Sequence, residues 1–139
     1  MAQLRPALIL IASGFISFVA LAADAVPIVN YENLPVLTGT GNAASVQAVA
    51  VAISNAAASG KRVWGVKRAA SGRLRATYNM RQHAISVDID YSDKAYSIRY
   101  AASDNMKFGE MNGQKVIDPF YNTWVDELKR GINAQLSKL

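Results

Sequence analysis

Cysteine is absent from all 139 residues, and histidine occurs once, at His83. The first absence excludes disulfides, thiol nucleophiles, cysteine zinc sites and iron–sulfur clusters. It also excludes a lipid anchor on an N-terminal cysteine, so the mature protein is expected to be soluble. The second leaves a lone imidazole with no motif to bring a nucleophile or carboxylate beside it. His83 therefore reads as a structural or surface residue at the start of a strand. Neither a glycine-rich phosphate loop nor a Gly-x-Ser-x-Gly elbow occurs. Asp88, Asp90 and Asp93 lack the central glycine and distant glutamate of a calcium loop. The expectation is a protein that is not an enzyme, with no cofactor and no metal.

Acidic residues are missing from the whole stretch between Glu32 and Asp88, where Lys61, Arg62, Lys67, Arg68, Arg73, Arg75 and Arg81 all fall. The net charge is +5, or +4 once Arg5 is removed with the first segment, a balance that solubility largely accounts for. That first segment has the three parts of a secretory signal. Arg5 supplies the positive start, Ala7 to Val19 the apolar run, and Ala20-Leu21-Ala22 the small residues before cleavage. Ala23-Asp24-Ala25 is the alternative cleavage site. An uncleaved anchor is the competing reading, but the run is shorter than the ~20 residues a spanning helix needs and is broken by Ser13, Gly14 and Ser17. The expected organisation is a signal peptide over 1–22, an extended arm over 23–42 and one domain over 43–139, in a periplasmic or secreted protein.

The arm carries two prolines and two glycines from Val26 to Asn42 and shows no period. Helical spacing begins after Ser45, a suitable N-cap, with Val46, Val49, Ala50, Ile53 and Ala57 on one face and Gly60 as the stop. Four segments with period two follow, over 63–68, 72–80, 83–91 and 95–101. A turn at Arg81-Gln82 sets Tyr78, Ala76 and Leu74 opposite Ile85, Val87 and Ile89. The same register sets Arg75 opposite Asp88 and Arg73 opposite Asp90, and a loop over 92–95 brings Arg99 opposite Asp88. Asp118-Pro119 then opens a helix whose apolar stripe is Tyr121, Trp124, Val125, Leu128, Ile132 and Leu136. The fold predicted is α+β in the order α-β-β-β-β-α, a four-stranded antiparallel meander with two helices packed on one face. The aromatic residues Trp64, Tyr78, Tyr91, Tyr96, Tyr100, Tyr121 and Trp124 fall on the core side, where buried hydroxyls need partners. The segments DNMKF and Tyr121 to Trp124 are placed at one end of the sheet, with Asn122 capping a loop.

The runs ATYNMRQHAISVDIDYS, AYSIRYAASDNMKF and VIDPFYNTWVDELKRGI, with IVNYENLPV in the arm, cover most of the mature chain. They resemble a family of small proteobacterial envelope proteins, many of them described only as lipoproteins. The family pattern is matched loosely by His83, Ala84, Val87, Ile89, Tyr91, Tyr96, Ile98, Tyr100, Pro119, Tyr121, Asn122 and Trp124. Asp118 stands where many relatives have histidine, and the lipobox cysteine is missing. The resemblance implies a Gram-negative envelope location and no activity.

A functional surface is expected on the polar face of the sheet, at Lys67, Arg73, Arg75, Thr77 and Arg99. The partner expected there is an envelope protein, or alternatively an anionic glycan or lipid headgroup. Nucleic acid is not expected, because an exported protein seldom meets it and no stacking aromatics alternate with these cations. No membrane span is expected in the mature chain.

Overall fold

The computed structural model describes residues 25–139. The signal peptide proposed over 1–22 and its cleavage site after Ala22 lie outside the described residues. The elements in chain order are β1 (Val26–Pro27), β2 (Tyr31–Pro35), α1 (Val46–Ser59), β3 (Gly65–Ala70), β4 (Arg73–Met80), β5 (His83–Tyr91), β6 (Ala95–Asp104), β7 (Gly109–Met111), β8 (Gln114–Ile117) and α2 (Pro119–Leu136). The fold is α+β with two helices and two antiparallel sheets. One sheet has five strands in the order β2-β6-β5-β4-β3, and the other has three, β1-β8-β7.

The expected meander is the β3-β4-β5-β6 part of the larger sheet, and its register follows the pairing read from the sequence. Tyr78 faces Ile85, Ala76 faces Val87, Leu74 faces Ile89, Arg75 faces Asp88 and Arg73 faces Asp90. On the other side of β5, Asp88 faces Arg99. The strand count differs from the expectation because residues expected as an arm also pair. β2 lies on β6, with Leu34 opposite Tyr96 and Tyr31 opposite Ile98. A bulge between Tyr31 and Leu34, with Asn33 at φ 51°, spaces the inward residues by three instead of two. That irregularity hides the strand from a search for strict alternation.

The second sheet arises where only a polar loop is expected. β7 and β8 form a hairpin closed by Asn112-Gly113, with φ of 52° and 76°. Two left-handed residues in a two-residue turn match the twist of the strands, and Asn-Gly is the pair that adopts them most readily. β1 then pairs with β8, Val26 opposite Ile117.

Ser45 caps α1 by accepting from the Ala48 amide, and Asp118 caps α2 by accepting from the Phe120 amide, with Pro119 at the first position. All six residues of the α2 stripe are buried. In α1 the buried face is Val49, Ala52, Ile53, Ala56 and Ala57. It is rotated from the expected one, so that Val46 is 47% exposed. Gly60 ends that helix in extended backbone, φ −76°, so its role there is not a left-handed cap. The buried residues of both helices join Leu74, Ala76, Ile85, Val87, Ile89, Tyr96 and Ile98 of the large sheet in one core. At ~1.5–3 kcal/mol for each large aliphatic or aromatic side chain withdrawn from water, this cluster is the main stabilising term.

Candidate functional site

The outer face of the five-stranded sheet carries the charges that alternate with the core residues. Arg73 grips Asp90 with two bonds, Nε to Oδ1 at 2.6 Å and Nη2 to Oδ2 at 3.1 Å. Arg75 grips Asp88 the same way, at 2.8 and 3.0 Å. Arg99 bridges two strands, donating to Asp90 Oδ2 at 2.5 Å and to both oxygens of Glu32 at 2.8 and 2.6 Å. Paired arginine forks of this kind fix orientation as well as charge. The hydrogen bond from Arg73 is the largest cause holding the Asp90 carboxyl below the usual range. The bond from Arg99 does the same for Glu32.

Three of the five surface residues singled out from the sequence, Arg73, Arg75 and Arg99, are thus brought together and each engaged by carboxylates. Thr77 lies on the same face with its hydroxyl 2.8 Å from that of Ser86. Lys67 is different. It is exposed, directly opposite Arg75 across β3 and β4, and has no carboxylate partner among the described residues. Read across the sheet, the columns run Glu32, then Arg99, then Asp88 with Asp90, then Arg73 with Arg75, then Lys67. The sign alternates until β3, where like charges meet.

A row of rings runs beside the start of β3. Trp64 lies 5.6 Å from Tyr78, Tyr78 meets the edge of Trp124 at 5.2 Å, and Trp124 stacks on Phe120 at 5.7 Å. The Arg62 guanidinium sits over Tyr78 and Trp124, 5.8 and 5.3 Å from the centroids. Its Nε is 3.1 Å from Glu127 Oε2. Neither atom has a directed hydrogen bond, so charge and ring stacking hold that guanidinium. The row begins buried at Trp64 and ends at Phe120, which is 60% exposed. Val63, next to Trp64, is 66% exposed. Sequence spacing put the rings in the core, and only Phe120, outside the stripe of its helix, carried a signal that the row reaches the surface.

At the opposite side of α2, Asn122 reads the arm. Its Nδ2 donates to the Pro27 carbonyl at 2.9 Å and its Oδ1 accepts from the Val29 amide at 3.0 Å. DNMKF and the start of α2 do meet, through Tyr100 stacked on Phe108 at 4.8 Å and edge-on to Tyr121 at 5.7 Å. The Asp118 amide also donates to the Met106 carbonyl. The two most buried tyrosines differ in their hydroxyls. Tyr96 donates to Asn133 Oδ1 at 2.5 Å, whereas the Tyr121 hydroxyl has no partner among the described residues. Burial pushes Tyr96 up to about 12 and Tyr121 higher still.

His83 opens β5, its Nδ1 2.6 Å from the Asn105 carbonyl. A carbonyl only accepts, so Nδ1 holds the proton in that bond. Asp88 and Asp90 are spent on arginines, and no group of three or more metal-binding side chains occurs among the described residues. No described helix is long and apolar enough to cross a membrane. No family model matches the chain, and no curated protein or solved structure shows significant similarity to it.

Proposed function

We propose that the chain is an exported, non-catalytic module of the bacterial envelope whose task is to bind a protein partner. The observation that carries this reading is the ring row from Trp64 to Phe120, an ordered aromatic stack that reaches the surface at Phe120. Rigid aromatic area of this kind, rimmed by charge, is what the centre of a protein interface is made of. The apolar segment ahead of Ala22 and the resemblance to small proteobacterial envelope proteins support the periplasm as its place.

The alternative ligand, an anionic glycan or lipid headgroup on the sheet face, is the weaker reading. Arg73, Arg75 and Arg99 already hold carboxylates, and an incoming anion would have to displace them.

The test is photo-crosslinking in living cells, with the probe at Phe120 and a control probe at Val51 on the outward face of α1. A discrete protein adduct from Phe120 alone is the expected result. A diffuse adduct that follows lipopolysaccharide chemistry, or none from Phe120, refutes the reading.

A further inference from the structure

The two edges of the large sheet are finished differently. β2, at one edge, is broken by its bulge and ends in Pro35, which has no amide hydrogen. Such features blunt an edge against further pairing. β3, at the other edge, pairs with β4 in register from Gly65 to Arg68, shifts register only at its end between Arg68 and Ala70, and carries no proline. An outer strand of this kind points alternate amides and carbonyls away from the sheet.

The charges on that edge are unbalanced in the same direction. Lys67 faces Arg75 directly, a like-charge cross-strand pair that costs stability. Arg68 and Lys61 are also exposed, without carboxylate partners among the described residues. From residue 61 to 82 the chain has no acid of its own. One more strand beside β3 would place a residue directly opposite Lys67. A carboxylate there would give Lys67 the opposite charge that Arg75, on its other side, does not supply. Apolar residues of the same strand, one position on, would turn toward half-buried Val66 and the rings that follow Trp64.

We propose that β3 is a strand-addition site, taking an extended segment of a partner protein that alternates acidic with apolar residues and sets one carboxylate against Lys67. Main-chain hydrogen bonds to β3 supply attachment, and the acidic side chains supply selectivity. This inference rests on the reading of the chain as a protein-binding module and names its partner's chemistry.

The experiment uses the isotopically labelled mature protein and blocked nine-residue peptides alternating valine with glutamate. Two further peptides serve as controls, one with glutamine in place of glutamate and one N-methylated on alternate residues. The glutamate peptide is expected to shift the amides of Gly65 to Ala70 and to slow their exchange at least tenfold. The glutamine and N-methylated peptides bind at least tenfold more weakly. In Lys67→Glu, whose site is exposed and whose fold is checked by circular dichroism, preference reverses toward a valine–lysine peptide. Equal binding of the N-methylated peptide, shifts confined to the Arg73, Arg75 and Arg99 face, competition by anionic lipid vesicles, or no binding at millimolar peptide would each overturn the proposal. In cells, a probe at Arg68 separates the two readings. An adduct from Phe120 without one from Arg68 leaves the module and removes the strand, and no adduct from either removes both.

Discussion

Removing one oxygen from each of the two most buried tyrosines should lower stability at Tyr96 and not at Tyr121. Tyr96 and Tyr121 are both essentially inaccessible, at 1% and 0% exposure. The Tyr96 hydroxyl donates to Asn133 Oδ1, so Tyr96→Phe loses that bond, while exposed Asn133 turns its carbonyl oxygen to water. The net loss is that of one hydrogen bond, about 0.5–1.5 kcal/mol. For a domain of this size that is a fall in Tm of about 2–6 °C. The Tyr121 hydroxyl is buried with no protein partner, so its desolvation is already uncompensated. Tyr121→Phe should therefore leave Tm unchanged or raise it, by about 1 kcal/mol at most. Alkaline titration gives a second readout. Both hydroxyls titrate above the ~10 of an unfolded tyrosine, so their neutral forms favour the fold. That contribution is complete below pH ~10 and is lost as pH rises toward and through about 12, steepening the fall by about 1.4 kcal/mol per pH unit for each group. Each phenylalanine variant should flatten the alkaline limb. Thermal melts of both variants at pH 7 and across pH 9–11.5 decide the matter. Equal destabilisation by the two substitutions would refute the reasoning and would mean that a bound water serves Tyr121.

Three further outcomes follow, two from the way the chain's ends are tied down and one from the ion pairs on the sheet. Asn122→Ala deletes both bonds to the arm, about 1–3 kcal/mol together, and hydrogen exchange should show the Val29 amide exposed while the amides of β5 stay protected. Gly39→Ala would drive a Cβ into the Ser137 carbonyl oxygen, which is backbone and cannot rotate away. Chemical denaturation should show that variant weaker by about 1–3 kcal/mol. Asp90 titrates low because Arg73 and then its other cations favour the carboxylate, so its contribution is present above the ordinary value near ~4 and is lost as pH falls below it. Asp90→Asn should melt lower at pH 7 but show a flatter acid limb, and an unchanged limb would exclude the ion pair as its cause.

How much of this could be read from the chain depended on whether two signals coincided. The meander was legible because Leu74, Ala76 and Tyr78 match Ile89, Val87 and Ile85 in the same register that matches Arg73 and Arg75 to Asp90 and Asp88. A slip of one residue would have broken both patterns at once. The α2 stripe was legible for a similar reason, since polar residues separate its apolar ones. In α1 that contrast is missing: no charged residue occurs from 33 to 60, and with valine or alanine at most positions the period does not fix the buried face. β2 was hidden by its bulge, and the β7–β8 hairpin by strands of three and four residues whose one signal was Asn112-Gly113. Of the surface, the arginines were placed correctly by register. Their neutralisation was only half visible, because Glu32 reaches Arg99 from a segment 67 residues earlier. The pairing of Lys67 with Arg75 needed the β3–β4 register, which the alternation in residues 63–68 was too short to define.

That pairing also explains why the sheet stops where it does, and it makes stability and binding pull apart. If selection had acted on stability alone, an acid at position 67 would extend the charge alternation to the edge and relieve Arg75. A lysine there keeps the edge soluble and discourages copies of the chain from pairing through β3, since Lys67 and Arg68 would meet their own kind. It also leaves one partner chemistry favoured, a strand that brings its own carboxylates. Lys67→Glu should accordingly raise Tm by about 2–4 °C in low salt, with Lys67→Gln roughly halfway, and the gain should shrink in 1 M sodium chloride as screening shortens the reach of the charges. The same substitution should abolish binding of the glutamate peptide. A Lys67→Glu protein that melts at or below the parent temperature would show that Lys67 is not in conflict with Arg75, and the electrostatic argument for strand addition at β3 would fall with it.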